Sequence, residues 1–108
     1  MANLRAHRLF SSVTSASVEL VAFEPPSKRL WVVIECDYDT GIPMAVLWGE
    51  GSDSANYGHV ILQPGESIIF SKNGALWWDG NIWVQGSGGT AVYRGAEVYQ
   101  EPAERRSK

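Results

Sequence analysis

Asp37-Tyr38-Asp39-Thr40-Gly41 sets two carboxylates two positions apart ahead of a glycine, which is how a calcium-binding loop begins. In such a loop the glycine stands sixth and a bidentate Glu stands twelfth; here the glycine is one position early and Trp48 fills the twelfth place. A solvated acidic loop is the better reading. Gly86-Ser87-Gly88-Gly89-Thr90-Ala91 has the spacing of a dinucleotide fingerprint with alanine last. That fingerprint requires a helix to follow, so that the pyrophosphate meets a helix N-terminus, and Val92-Tyr93 continues as a strand. The run reads as a hairpin turn. His7 and His59 are the only histidines, and neither has a Cys or His at ligand spacing, which argues against a structural zinc site. No Ser stands in a Gly-x-Ser-x-Gly elbow, and Cys36 sits beside Val33 and Ile34 as a small core residue rather than a reactive thiol. The sequence therefore offers no catalytic, cofactor or metal residues, and the expectation is a protein that is not an enzyme.

What it does offer is tryptophan. Trp31, Trp48, Trp77, Trp78 and Trp83 are many for 108 residues. Tryptophan buries a large area and is enriched at the centres of protein interfaces. Neighbouring residues of an extended segment point to opposite faces, so Trp77 and Trp78 cannot share one core layer. At least one is expected to reach outward; the competing reading has Trp78 capping the end of the domain beside Asp79-Gly80. Trp31 and Trp83 have the opposite parity to Val32 and Val84, the more obviously buried residues of their strands.

The elements that must position these residues are short strands. Pro64-Gly65, Asn73-Gly74, Asp79-Gly80 and Ser87-Gly88-Gly89 punctuate the chain from Val60 to Val92 too often for a helix of ordinary length. Residues 17–23 are expected to form the first strand, stopped by Pro25-Pro26, which cannot donate ladder hydrogen bonds. Strands are then expected over 28–36, 44–49, 59–63, 66–71, 75–78, 82–85 and 90–99. In the 28–36 strand Leu30, Val32, Ile34 and Cys36 face one way and Trp31 and Val33 the other, the pattern of a central strand. Pro64-Gly65 suits a type II turn, with proline setting the first central dihedral and glycine accepting positive φ at the second. About seven or eight strands at this spacing make an all-β antiparallel sandwich or jelly-roll-like barrel. The chain divides into an N-terminal arm (1–12), one β domain (13–100) and a charged tail (101–108). An apolar content of 44% can build one core without disulfides, and a single cysteine permits none internally.

Charge narrows the partners. Between Phe10 and Gln100 ten carboxylates face four cations (Lys28, Arg29, Lys72 and Arg94), whereas Arg5, Arg8, Arg105, Arg106 and Lys108 make the ends basic. Such a body disfavours nucleic acid, whose phosphates require cation clusters. No run approaches the roughly 20 apolar residues that cross a bilayer, and no signal peptide is recognisable, so neither a membrane partner nor secretion is expected. Basic ends on an acidic body fit docking onto acidic surfaces, including neighbouring copies.

Three pieces in order resemble small virion structural proteins of tailed bacteriophages: Lys28-Arg29-Leu30-Trp31-Val32-Val33, then Leu62-Gln63-Pro64-Gly65-Glu66-Ser67-Ile68-Ile69-Phe70, then Gly80-Asn81-Ile82-Trp83-Val84 answered by Gly89-Thr90-Ala91-Val92. The resemblance spans most of Val13 to Tyr99; the tryptophan load and the acidic 37–41 loop depart from it. It implies a capsid decoration or cement protein, or the base of a head fibre. The major capsid protein or another virion protein is then the partner, a homotrimer the assembly and the capsid surface the location, reached from the host cytoplasm. The interface residues expected on this reading are Arg5 and Arg8 on the arm and Trp31, Trp77, Trp78 and Trp83 as outward anchors. The alternative is a carbohydrate- or receptor-binding module, with Trp77 or Trp78 as a flat platform for a glycan and Asp37, Asp39 or Asp79 accepting its hydroxyl hydrogen bonds.

Overall fold

A computed structural model describes residues 3–16, 18–21, 29–49, 58–74, 76–78 and 80–101. Their alternating apolar pattern builds eight strands: β1 (Asn3–Val13), β2 (Glu19–Leu20), β3 (Arg29–Cys36), β4 (Met44–Gly49), β5 (Gly58–Leu62), β6 (Ser67–Ser71), β7 (Asn81–Gly86) and β8 (Ala91–Glu101). They form two antiparallel four-stranded sheets, with order β1-β8-β3-β6 in the first and β2-β7-β4-β5 in the second. Strands adjacent in sequence mostly alternate between the sheets, and β1 pairs with β8 at one edge. This is the jelly-roll arrangement of two interleaved Greek keys.

The core lies between the sheets. Leu9 and Val13 of β1, Val32, Ile34 and Cys36 of β3, Phe70 of β6, and Ala91 and Tyr93 of β8 line the first sheet. Met44, Val46, Leu62, Ile82 and Val84 answer from the second. Trp48 meets Phe70 edge to face with ring centroids 5.4 Å apart, a favoured aromatic geometry. Pro64-Gly65 turns β5 into β6, with Gly65 at φ 91° and the Glu66 N–H donating to the Gln63 carbonyl at 2.9 Å. Because β5 and β6 lie in different sheets, as do β7 and β8, this turn and the 86–91 turn both cross between the sheets, and the hairpin expected at each does not form.

Four further expectations change. The stretch read as an arm is, from Asn3 on, strand β1, one of the two longest in the protein and paired residue for residue with β8. Arg5, His7 and Ser11 occupy the same parity as the buried Leu9 and Val13, which dilutes the apolar alternation that announces a strand. The segment expected to open the sheet is therefore the second strand and short, Glu19–Leu20, with Val21 extending its contact through an N–H bond to the Ile82 carbonyl. Residues 76–78 do not form a strand but cross the domain end, with Leu76, Trp77 and Trp78 against the core. Glu101, assigned to the tail, ends β8; the tail beyond 101 lies outside the described residues.

Candidate interaction surface

A strand's side chains alternate between faces, so the register between strands assigns the outer face of the first sheet. Ala6, Val98, Trp31 and Ser71 form one row across β1, β8, β3 and β6. Arg8, Ala96, Val33 and Ile69 form the next, and Phe10, Arg94, Glu35 and Ser67 a third. The first two rows are apolar apart from Arg8 and Ser71. Leu4, Phe10, Trp31 and Ile69 are exposed, and Val33, Ala96 and Val98 half-buried. A solvated sheet face ordinarily alternates to polar residues, and an apolar run across a whole sheet marks a contact surface. Covering side chains of this size contributes about 1.5–3 kcal/mol each. Charge frames the patch: the Arg8 guanidinium carbon lies 5.4 Å from the Phe10 ring centroid, while Arg94 pairs with Asp37 and stands across from Glu35.

Trp31 is thus where the sequence placed it, at 37% exposure near the centre of this face. Arg5 and Arg8 are exposed on β1, Arg8 on the outer face and Arg5 on the opposite parity. Of the other three expected anchors, Trp77 and Trp78 pack against the core and Trp83 is covered on the outer side of the second sheet. Trp83 has outward parity on the second sheet, yet is only 8% exposed, with Leu20 and Leu47 as its ladder neighbours on either side. Trp78 follows the capping reading: its indole N–H donates to the Asn81 carbonyl at 2.9 Å, and its ring lies so close over Gly80 that a Cβ there would come within 2.8 Å of it. Trp77 packs on the core with the Lys72 ammonium 6.0 Å from its ring centroid. Both are half-buried.

Bonded to the backbone at Trp78 and Gly80 is a buried pair that sequence reasoning missed. Arg29 and Glu97 are 2% and 0% exposed, with Nε donating to Oε2 at 3.1 Å. The Arg29 Nη1 also donates to the carbonyls of Trp78, at 3.3 Å, and Gly80, at 2.8 Å. One guanidinium thereby ties β3, β8 and the 78–80 crossing together, satisfying charges whose burial is otherwise costly. The signal was present: Glu97 shares the inward parity of Ala91 and Tyr93. Arg29 is harder to read, because the register shifts between Arg29 and Trp31 and turns it inward.

The acidic 37–41 loop is closed on itself. Asp37 Oδ2 accepts from the Thr40 N–H at 3.0 Å and the Thr40 hydroxyl at 2.8 Å, while Oδ1 accepts from Arg94. Those Thr40 bonds, and then the Arg94 guanidinium, hold the Asp37 carboxyl below its ordinary range. Asp37 is 8% exposed and engaged, which leaves it unsuited to a calcium ion or a sugar hydroxyl. Burial first, and the carboxylates of Asp37, Glu66 and Glu35 after it, push the Cys36 thiol up, so it is a poor nucleophile. Burial and the hydrogen bond to Glu19 likewise push the Tyr93 phenol up. Among the described residues no group of three or more His, Cys, Asp or Glu is placed to hold a metal ion.

No protein-family model matches the sequence, and a search of curated proteins returns no match. Among solved structures the fold is similar to one from Bacillus endospore appendages, described as a novel family of disulfide-linked pili. That chain is 13% identical with a TM-score of 0.55, over 94% of this chain and 92% of its own. At that identity the likeness concerns the fold.

Proposed function

We propose that this chain is a structural subunit that attaches to a larger protein assembly through the outer face of its first sheet. The observation that carries the reading is the apolar band across all four strands, with Trp31 at its centre and Arg8 and Phe10 at its rim. The assembly is a phage capsid in the reading drawn from the resemblance: the protein decorates the head, bound to the major capsid protein or another virion protein. Its mechanism is mechanical. Each copy covers apolar area on more than one capsid subunit, and several attachment points make a modest single contact collectively strong. Exposed Arg5 and Arg8 draw the acidic body toward acidic neighbours.

A second reading, a subunit of a surface filament, is favoured by the fold it shares with the spore-appendage structure. The disulfide linkage named for those pili has no counterpart in the described domain, since Cys36 is the chain's one cysteine and is 0% exposed. Copies would have to associate without it. Immunogold labelling of particles from cells that make the protein separates the two: label over phage heads supports decoration, label along filaments supports the second reading, and label on neither overturns both. For the decoration reading, Arg5→Glu with Arg8→Glu should lower particle occupancy while the isolated protein stays folded. Unchanged occupancy would remove the two arginines from the contact.

A further inference from the structure

Strand β1 has one paired edge, against β8, and among the described residues no strand lies on the other. Its register with β8 runs unbroken from Asn3 to Val13, and it contains no proline. Long edges are ordinarily blunted by such breaks, because open N–H and C=O groups template pairing with another chain. One hydrogen bond shows which groups are open. The Asp37 N–H donates to the Val92 carbonyl at 2.9 Å, so even-numbered residues of β8 address the β3 side and odd-numbered ones address β1. Since Leu9 stands opposite Gly95 and His7 opposite Glu97, the odd-numbered residues of β1 bond to β8. Leu4, Ala6, Arg8 and Phe10 therefore direct both backbone groups to the open edge.

The same residues carry the most exposed large aliphatic side chain among the described residues, Leu4 at 68%, and an exposed aromatic, Phe10 at 59%. Leu4 and Phe10 are equidistant in sequence from His7, as are Ala6 and Arg8. We propose that β1 pairs antiparallel with β1 of a second copy about a twofold axis at His7. Leu4 then faces Phe10 of the other copy twice, and Ala6 faces Arg8 twice. A twofold centred one residue later sets Arg8 against Arg8, with like charges directly opposed. The His7-centred register makes about eight inter-chain hydrogen bonds, two for each of its four ladder pairs. It also joins the two first sheets into one, so that their apolar outer faces become continuous. This inference rests on the strand edge alone and is independent of where the protein is used. The contact is twofold and so differs from the trimer implied by the phage resemblance.

The test uses the full chain. Light scattering from micromolar to millimolar concentration should show a monomer–dimer equilibrium, weakened at least about tenfold by Phe10→Asp. Ala6→Pro removes an open-edge N–H without touching the β8 ladder and should weaken it too, with an unchanged circular dichroism spectrum. His7→Cys reports the register: opposed residues at the axis have Cα atoms about 4.5 Å apart, within disulfide reach. On mild oxidation it should give a covalent dimer at least about tenfold faster than Ala6→Cys, whose own symmetry mate lies farther away. A monomer at every concentration, a trimer, or a dimer in which the two cysteine variants cross-link equally would overturn the proposal.

Discussion

The outer face of the first sheet and the end of the sandwich beneath Trp78 are both rich in aromatic and charged residues, and they use them in opposite ways. At the end, Trp77 and Trp78 pack against the core, and Arg29 and Glu97 are buried with the guanidinium bonded to a carboxylate and to the carbonyls of Trp78 and Gly80. On the face, Leu4, Phe10 and Ile69 stay more than half exposed beside Arg8, and Trp31 keeps 37% of its surface in solvent. Tryptophan content alone does not mark an interface in this protein. The distinction lies in whether an outward position has a crossing segment to close it.

The largest effect should come from Arg29→Ala, which strands the Glu97 carboxylate in the core and removes two bonds to the 78–80 crossing. Chemical denaturation should show a loss of about 3–5 kcal/mol, the usual cost of breaking a buried pair from one side. Trp78→Ala opens the same end without leaving a charge behind. A loss of about 2–3 kcal/mol is expected, less than for a fully buried tryptophan because the ring is only partly covered. If either variant melts like the parent, that end is not the lock described here.

The Asp37 turn should contribute less, and only above a certain pH. Its carboxyl is held below the ordinary value of 3.8 in the folded chain, so the unfolded chain takes up the proton first as the pH falls. Its contribution is present above about pH 4 and disappears as the pH falls through the folded value. Asp37→Asn should flatten the acid limb of a melting-temperature profile and leave the neutral region lower throughout. An unchanged acid limb would mean that the Thr40 and Arg94 bonds do not persist in solution.

Much of this fold is legible in the residues. Pro64-Gly65 and the Gly88 turn locate two chain reversals through the positive φ that glycine tolerates, though both cross between the sheets and neither is a hairpin, while the alternation in 29–36 and the apolar run in 44–49 locate two strands inside their sheets. The failures have a common cause, a competing role for the residue that should have carried the signal. Arg5, His7 and Ser11 occupy inward-parity positions of an edge strand, where solvent reaches polar side chains, so β1 resembles an arm. Arg29 enters the core through a register shift that no periodicity reveals. Of the candidate site, Trp31 was legible because its parity opposes Val32. Leu4, Phe10 and Ile69 become a surface only once β1, β8, β3 and β6 are known to be neighbours.

The smallest expected effect on folding belongs to the outer face, and it bears most directly on the claim that this face serves contact. Urea unfolding of Leu4→Lys with Ile69→Lys, positions 68% and 53% exposed, should give a stability within about 0.5 kcal/mol of the parent, as is usual for surface substitutions, while the protein no longer attaches to its assembly. A loss of several kcal/mol would contradict the account, because the band would then belong to the fold itself and not to a partner.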